Sequence, residues 1–237
     1  MPKNFEIRKE VVLEATPEQV WQAIATAEGL AAWAPPPHER PEGAGVEREE
    51  PKRLSVRTPE LPNGAFHAFE FLLEARDGGT TVLRFVHSGF LGDDWDSEYS
   101  FEELTGRGWN MYLHTLFEYL KYFSGRTATY VEAQAPAAGA ATEAWSTLQQ
   151  GLGLTGTVRL GERVRLTPEG LPPIEGVVDY AELPGNFLAV RTDDGLYRFH
   201  NLTVMDMPIA VGHHIFADID REVTARAWKD WLDRLFT

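Results

Sequence analysis

The sequence predicts an α+β protein in which one unit, a curved antiparallel sheet closed by a long C-terminal helix, occurs twice in tandem. Three observations predict this fold class. Short apolar runs separated by turn residues indicate strands, and two apolar stripes with three- and four-residue steps indicate long helices. The same order of elements, with tryptophans at matched spacing, also recurs in the second half of the chain.

The composition is that of an ordinary globular protein with an acidic surface. Hydrophobic residues make up 43% of the 237 residues and charged residues 24%, so the chain has enough apolar material to bury a core. The formal net charge is -14, and no basic run interrupts it. We therefore expect neither a nucleic-acid partner nor binding to an anionic membrane surface.

Two absences in the sequence narrow the cellular context. There is no cysteine, which excludes disulfides, thiolate zinc sites and a cysteine nucleophile. The N-terminal residues lack the continuous apolar run of a signal peptide, and no segment reaches the roughly 20 apolar residues that a membrane span needs. These features predict a soluble, cytoplasmic protein.

The first unit is predicted to begin with a strand and two short helices. Apolar residues at alternate positions indicate a strand over Phe5–Ala15. Thr16 is placed as the N-cap of the first helix, with Pro17 at the first helical position and Gln19 completing a capping box. A second helical turn contains Trp33 and ends at the prolines that follow it.

The rest of the first unit is predicted to be a sheet and its closing helix. Residues 35–51 are rich in Pro, Gly and Glu and indicate a loop. Strands are predicted over Arg53–Thr58, Phe66–Ala75 and Thr80–Gly89, the last two joined by an Asp-Gly hairpin turn. The closing helix carries a long apolar stripe formed by Trp109, Tyr112, Leu113, Leu116, Phe117, Leu120 and Phe123.

The second half of the chain repeats this order of elements. Trp145 lies 124 positions after Trp21, and Trp228 lies 119 positions after Trp109. We therefore divide the chain into a first unit of residues 1–125 and a second, more divergent unit of residues 126–237. The strands predicted for the second unit are Thr157–Leu166, Gly176–Leu183, Phe187–Thr192, Gly195–His200 and Gly212–Asp218.

Three segments, taken in their order, resemble the SRPBCC superfamily, whose START-like or Bet v 1-like fold is called helix-grip. They are VVLEATPEQVWQAIATAEGLAAW, TTVLRFVHSGF and GRGWNMYLHTLFEYL. The branch that they resemble most is the C-terminal domain of the Hsp90 ATPase activator, the Aha1-like branch. The resemblance covers residues 5–123 well and residues 127–236 more loosely. It implies a sheet wrapped around the long C-terminal helix, with an apolar cavity between them.

One feature departs from the pattern of this family. Members place a pair of strands after the second short helix, and residues 35–51 contain no segment that predicts such a pair. We therefore expect the first unit to have a shortened sheet and a reduced cavity. The second unit keeps this region, with a turn at Leu160–Arg163, and is expected to be the better candidate for holding a ligand.

The candidate site is a pocket for a hydrophobic or aromatic small molecule, between the sheet and the long helix. The alternative is that the same side chains fill the core solidly, as helical stripes usually do. Buried Trp109 and Tyr112 need partners for their polar tips, so a void beside them would suit a ligand with an acceptor group. The predicted ligand-binding residues are Trp33, Phe69, Phe71, Phe85, His87, Trp109, Tyr112, Leu113, Leu116 and, in the second unit, Trp228.

Two groups of histidines suggest other chemistry. His67 and His87 lie on neighbouring predicted strands and would make an acid/base pair, although strand histidines are more often simply hydrogen-bonded or solvent-facing. His200, His213 and His214 suggest a metal site, but adjacent residues of a strand point to opposite faces of the sheet. We predict no catalytic residue, no metal ion and no cofactor.

Three functions are compatible with the resemblance. The leading one is non-catalytic binding of a hydrophobic or aromatic small molecule. The alternatives are an enzyme of the polyketide cyclase or aromatase type, which needs polar groups inside the cavity, and a protein-interaction module like the Hsp90 activator, which needs a docking surface for a protein partner. Because one fold supports all three, the resemblance does not choose among them.

Overall fold

The computed structural model of the chain describes residues 3–37, 41–96, 100–140, 143–182 and 187–237. The chain divides into two compact units, Met1–Gly125 and Arg126–Thr237. Each unit contains one antiparallel sheet, a short helix near its start and a longer helix at its end, so the protein is α+β as predicted. In the described ranges, no helix combines the length and apolar character needed to cross a bilayer.

The first unit consists of a five-stranded sheet with strand order β1-β5-β4-β3-β2, every neighbouring pair being antiparallel. A five-residue π-helical turn, Tyr119–Phe123, continues the last helix. In chain order the elements are β1 (Asn4–Leu13), α1 (Pro17–Ala25), α2 (Ala27–Ala31), β2 (Gly45–Glu49), β3 (Arg53–Arg57), β4 (Phe66–Arg76), β5 (Thr80–Phe90) and α3 (Phe101–Glu118).

The start of α1 is held by the predicted capping box. The Thr16 hydroxyl accepts from the backbone N–H of Gln19, and the Gln19 side chain accepts from the backbone N–H of Thr16 at 2.9 Å. Without these bonds, the two backbone N–H groups would be unsatisfied donors at the start of the helix. The indole N–H of Trp33 then donates to the carbonyl of Ala23 at 2.9 Å, which fastens the chain after α2 to the side of α1.

The prediction of a loop over residues 35–51 is wrong in its second half, because β2 lies there. This strand pairs with β3 along its whole length, from Gly45 opposite Arg57 to Glu49 opposite Arg53. All its residues are exposed. An edge strand that meets solvent on both faces shows no alternation of apolar and polar residues, and the sequence pattern therefore could not reveal it.

The closing helix α3 begins at Ser100, whose hydroxyl accepts from the backbone N–H of Glu103. Leu113 and Leu116, two members of the predicted apolar stripe, are buried on one side of the helix. Trp109 lies on the same side, with its ring centroid 4.3 Å from that of Phe85 on β5. The helix thus covers one face of the sheet.

The second unit has a six-stranded antiparallel sheet with strand order β6-β11-β10-β9-β8-β7. Two short 3-10 segments, Ala137–Ala140 and Thr203–Met205, lie between its elements. In chain order the elements are β6 (Thr129–Gln134), α4 (Ala144–Gly151), β7 (Arg163–Leu166), β8 (Ile174–Glu182), β9 (Phe187–Arg191), β10 (Gly195–His200), β11 (Ala210–Ile215) and α5 (Arg221–Leu235).

The strand predictions for the second unit hold to different extents. The bounds of β10 are those predicted, and β9 ends one residue earlier. The prediction of a strand over Thr157–Leu166 is wrong for its first part, because Leu160 and Gly161 form a turn and only Arg163–Leu166 is a strand. β11 is shifted toward the N-terminus of the predicted segment. Leu183, the predicted end of another strand, lies outside the described residues.

The two units place equivalent residues at equivalent sites. In the first unit, Ile7 on β1 pairs with His87 on β5. Val131 on β6, which lies 124 positions after Ile7, pairs with His213 on β11. Each of these histidines contacts a tryptophan of the helix that closes its unit, so the two units share this local arrangement of strands, histidine and tryptophan.

Loss of the capping box should destabilise the first unit. We expect Thr16→Ala to lower the free energy of unfolding by about 1 kcal/mol, because the N–H of Gln19 loses its acceptor. Urea unfolding followed by tryptophan fluorescence measures the change. Ser124→Ala, which removes a hydroxyl from an exposed residue of the same unit, is the control. An equal effect of the two substitutions would show that the cap contributes nothing.

Candidate functional site

The first unit contains a cavity of about 360 Å³, lined by residues of α1, α2, the sheet and the closing helix. This volume falls in the range of small-molecule pockets. Among the described residues, no charged side chain lines it. The lining residues are Ile24, Leu30, Trp33, Ala34, Pro35, Pro37, Pro41, Leu54, Val56, Thr58, His67, Phe69, Phe71 and Trp109.

One wall of the cavity is a ladder of paired residues on β3 and β4. Every second residue of a strand points to the same face of the sheet. The cavity is lined by three such residues from β3 and the position after it, Leu54, Val56 and Thr58, and by three from β4, His67, Phe69 and Phe71. The register places Leu54 opposite Phe71 and Val56 opposite Phe69. Beyond them, the backbone N–H of His67 donates to the Thr58 hydroxyl at 2.9 Å, so the polar lining residues lie together at one end of an apolar wall.

A chain of hydrogen bonds runs from the closing helix to this polar end. The indole Nε1–H of Trp109 donates to Nδ1 of His87 at 3.0 Å. The other ring nitrogen of His87, Nε2, lies 2.9 Å from Nδ1 of His67. Trp109 and His67 line the cavity, whereas His87 is only 4% exposed, does not line it, and hydrogen-bonds to both of them.

The direction of every proton in this chain follows from its first member. An indole N–H can only donate, so Nδ1 of His87 must accept. Neutral His87 therefore carries its proton on Nε2 and donates to Nδ1 of His67. His67 in turn carries its proton on Nε2, and this N–H has no hydrogen-bond partner among the residues that the structure describes.

Burial keeps both imidazoles neutral. Desolvation lowers the pKa of His87 to about 3, with a smaller contribution from repulsion by His67. Desolvation also lowers the pKa of His67 below its ordinary value. The cause is the surrounding aromatic cluster: the Phe69 ring stacks on His87 at 4.4 Å between centroids, and the Phe5 ring meets it edge-on at 5.0 Å. An imidazolium would lose its hydration there without gaining a counter-ion.

Four of the predicted ligand-binding residues line the cavity. They are Trp33, Phe69, Phe71 and Trp109. The others are not among the lining residues. Phe85, His87 and Tyr112 each contact Trp109, the Tyr112 ring at 6.3 Å between centroids. Leu113 and Leu116 are buried in the core of the first unit, and Trp228 belongs to the core of the second unit.

Sequence reasoning missed several lining residues. Val56 on β3 and Thr58, which follows the strand, lie two and four residues after Leu54, and this period-2 spacing was available in the sequence. Pro35, Pro37 and Pro41 gave no such signal, because prolines indicate a loop without indicating what the loop covers. His67 was noted only as half of an acid/base pair.

The interior of the second unit differs in its chemistry. Nδ1 of His213 accepts from the backbone N–H of Arg198 at 3.1 Å instead of from a tryptophan. Trp228 contacts the His213 ring at 4.5 Å between centroids. The cavity described above lies in the first unit. The expectation that the second unit is the better candidate for holding a ligand stays a prediction.

The suggested metal site receives no support from the geometry. His213 lies against Trp228, whereas the ring of His214, the next residue along β11, contacts Tyr130. Within the described part of the chain, His200, His213 and His214 do not form a group of ligand atoms close enough to share one ion.

Comparisons with known proteins find solved structures of low sequence identity and low TM-score. No family model and no curated protein matches the sequence. Similar solved structures include the di-domain ARO/CYC BexL from the BE-7585A biosynthetic pathway (13% identity, 89% of this chain and 84% of that chain, TM-score 0.42). Others are DynU16, a protein in the dynemicin biosynthetic locus (16%, 97% and 96%, TM-score 0.39), and CV1439 from Chromobacterium violaceum (20%, 51% and 99%, TM-score 0.39). Similarities of this extent assign no activity to the chain.

The buried histidine pair should make the stability of the protein depend on pH. The unfolded chain binds a proton at His87 near pH 6.5, which the folded chain binds only near pH 3. The contribution of His87 is therefore fully present above pH 6.5, and it is lost by up to about 1.4 kcal/mol per pH unit as the pH falls toward 3. Urea unfolding at pH 7, 6 and 5 measures this slope.

The variant His87→Gln isolates this contribution. Glutamine does not titrate, yet it offers an acceptor to Trp109 and a donor to His67. We expect a shallower decline of stability with falling pH in this variant. Ser88→Ala, on the same strand with its side chain on the opposite face, should keep the original slope. If the slope of His87→Gln equalled that of the unmodified protein, His87 would not be the buried neutral group described here.

Proposed function

We propose that the protein binds a hydrophobic or aromatic small molecule in the cavity of the first unit without acting on it chemically. The observation that carries this proposal is a cavity of about 360 Å³ whose described lining is apolar and aromatic except at one end. Such a lining favours apolar ligands, at roughly 25 cal/mol per Å² of apolar surface removed from water.

The lining residues also supply recognition of a flat ligand. The rings of Trp33, Phe69, Phe71 and Trp109 border the same space, and aromatic side chains bind other rings by offset stacking or edge-to-face contact. Both tryptophan N–H groups are already bonded, one to the carbonyl of Ala23 and the other to His87. Within the described lining, these side chains therefore present apolar surface to a ligand rather than unsatisfied donors.

Binding without catalysis is favoured because the histidines offer no free base. A general base needs an unshared nitrogen lone pair facing its substrate. The Nδ1 lone pair of His67 accepts from His87, and the Nδ1 lone pair of His87 accepts from Trp109. The hypothesis of an acid/base pair thus lacks the base, at least in the proton arrangement that Trp109 imposes.

A polyketide cyclase or aromatase activity is the second candidate. The observation in its favour is the Nε2–H of His67, which has no hydrogen-bond partner among the described residues. A donor at that point would polarise a carbonyl oxygen of a bound substrate. The Aha1-like assignment, and with it the Hsp90-activator-like protein-interaction role, remain predictions from the sequence resemblance. The cavity adds no support to either.

A cavity-filling substitution tests the proposal. Val56→Trp places an indole into the space that Val56 lines, and we expect it to weaken binding of the uncharged fluorescent probe phenylnaphthylamine by roughly tenfold or more, because the probe can no longer bury its rings. Fluorescence titration measures the affinity. Thermal unfolding of the variant shows whether it is folded.

The matched control is Val12→Trp. It makes the same substitution on a strand of the same unit, at a valine that is 56% exposed and outside the cavity. The control should bind the probe like the unmodified protein. Saturable binding that both substitutions leave unchanged would place the ligand elsewhere, and an unmodified protein that binds no probe would contradict an accessible cavity.

A further inference from the structure

We propose that the ligand is a neutral carbonyl compound whose oxygen accepts a hydrogen bond from Nε2–H of His67. This inference rests on the proposed function and adds the chemical class of the ligand. It follows from the proton arrangement of the Trp109, His87 and His67 chain, from the scarcity of acceptors in the cavity and from the absence of charge on its described lining.

The first step concerns the donor. Nε2–H of His67 is the end of a chain whose direction Trp109 sets, so it is a donor in the neutral protein. When an apolar ligand displaces water from the cavity, this N–H is left without a partner, and an unsatisfied donor weakens binding. A ligand oxygen at this position gives the donor a partner again.

The second step concerns acceptors. The Thr58 hydroxyl already accepts from the backbone N–H of His67. The indole N–H groups of Trp33 and Trp109 donate to protein acceptors. The polar end of the described lining therefore offers donors more readily than acceptors, which favours a ligand that brings an acceptor, such as a carbonyl oxygen, over one that brings an N–H.

The third step concerns charge. A carboxylate also accepts hydrogen bonds, but no lysine or arginine lines the described part of the cavity, and burying an unpaired carboxylate among aromatic rings is costly. A cationic ligand meets no carboxylate there either. The described part of the lining thus favours a neutral molecule with an oxygen acceptor at one end and apolar surface elsewhere.

The second unit supports the assignment by contrast. There Tyr197 lies against His213, with 4.9 Å between their ring centroids, as Phe69 lies against His87 in the first unit. Two residues before Phe69 is His67, whereas two residues before Tyr197 is Gly195. The outward donor is therefore a property of the first unit, where the cavity lies.

A pair of probes of matched shape tests this inference on the full chain. Acetylnaphthalene carries a carbonyl oxygen, and isopropenylnaphthalene replaces that oxygen by a methylene group. We expect the ketone to bind roughly three- to tenfold more tightly, as measured by titration calorimetry, because it alone accepts from His67. His67→Phe should make the two affinities equal, while Ser88→Ala should preserve the difference.

The outcomes separate this inference from the proposed function. If both probes bind the unmodified protein equally, the carbonyl preference is overturned while the apolar cavity stands. If neither probe binds, the proposed function fails. Naphthoate, which carries a carboxylate on the same rings, should bind more weakly than the ketone, and tighter binding would overturn the neutrality of the ligand. The comparison within the unmodified protein decides the matter even if His67→Phe does not fold.

The proton arrangement can be tested without any substitution. Nitrogen-15 NMR of the histidine side chains at pH 7 should show both His67 and His87 with the proton on Nε2 and a bare Nδ1. Addition of acetylnaphthalene should shift the Nε2 signal of His67 more than that of isopropenylnaphthalene does. A proton on Nδ1 of His67 would overturn the inference, because the nitrogen facing away from His87 would then be an acceptor.

Discussion

The hydrogen bond from Trp109 to His87 is the interaction on which the chemistry of the site depends. Its donor has no acceptor capacity, so it orients each proton that follows, through His87 to His67. With a phenylalanine in place of Trp109, His87 would be free to adopt either tautomer and the cavity would face an ambiguous group. The packing of α3 on the sheet thus sets the direction of the hydrogen bonds as far as His67, a residue of β4.

The two units show how a shared architecture carries different interiors. In both units the first strand pairs antiparallel with the last strand. Both also place a histidine of the last strand against a tryptophan of the closing helix, Trp109 or Trp228. In the first unit the tryptophan donates to this histidine, whereas in the second unit a backbone N–H of Arg198 occupies the same acceptor. The shared fold therefore carries different hydrogen bonds in its two interiors, and repetition of a fold does not imply repetition of a site.

The features that were predictable from the sequence are those with a local cause. The capping box at Thr16 and the apolar stripe of α3 depend on residues a few positions apart, and both are present as predicted. β2 was missed because an exposed edge strand has no buried face to impose a pattern. The cavity lining could not be predicted for a different reason. Phe69 and Phe85 have the same side chain, and only the three-dimensional packing decides that Phe69 lines the cavity and Phe85 does not.

The chain of three neutral side chains, Trp109, His87 and His67, differs physically from a single charged donor. A lysine or arginine in the position of His67 would also donate, but its charge would require a counter-ion inside an apolar cavity and would favour anions. A chain of neutral donors avoids that cost, and each hydrogen bond polarises the next, strengthening the terminal donor by an estimated 10–30% per bond. Burial, which lowers the pKa of both imidazoles, favours the neutral form of the chain. The aromatic cluster that makes the cavity apolar is thus the same feature that keeps the His67 donor at its polar end uncharged.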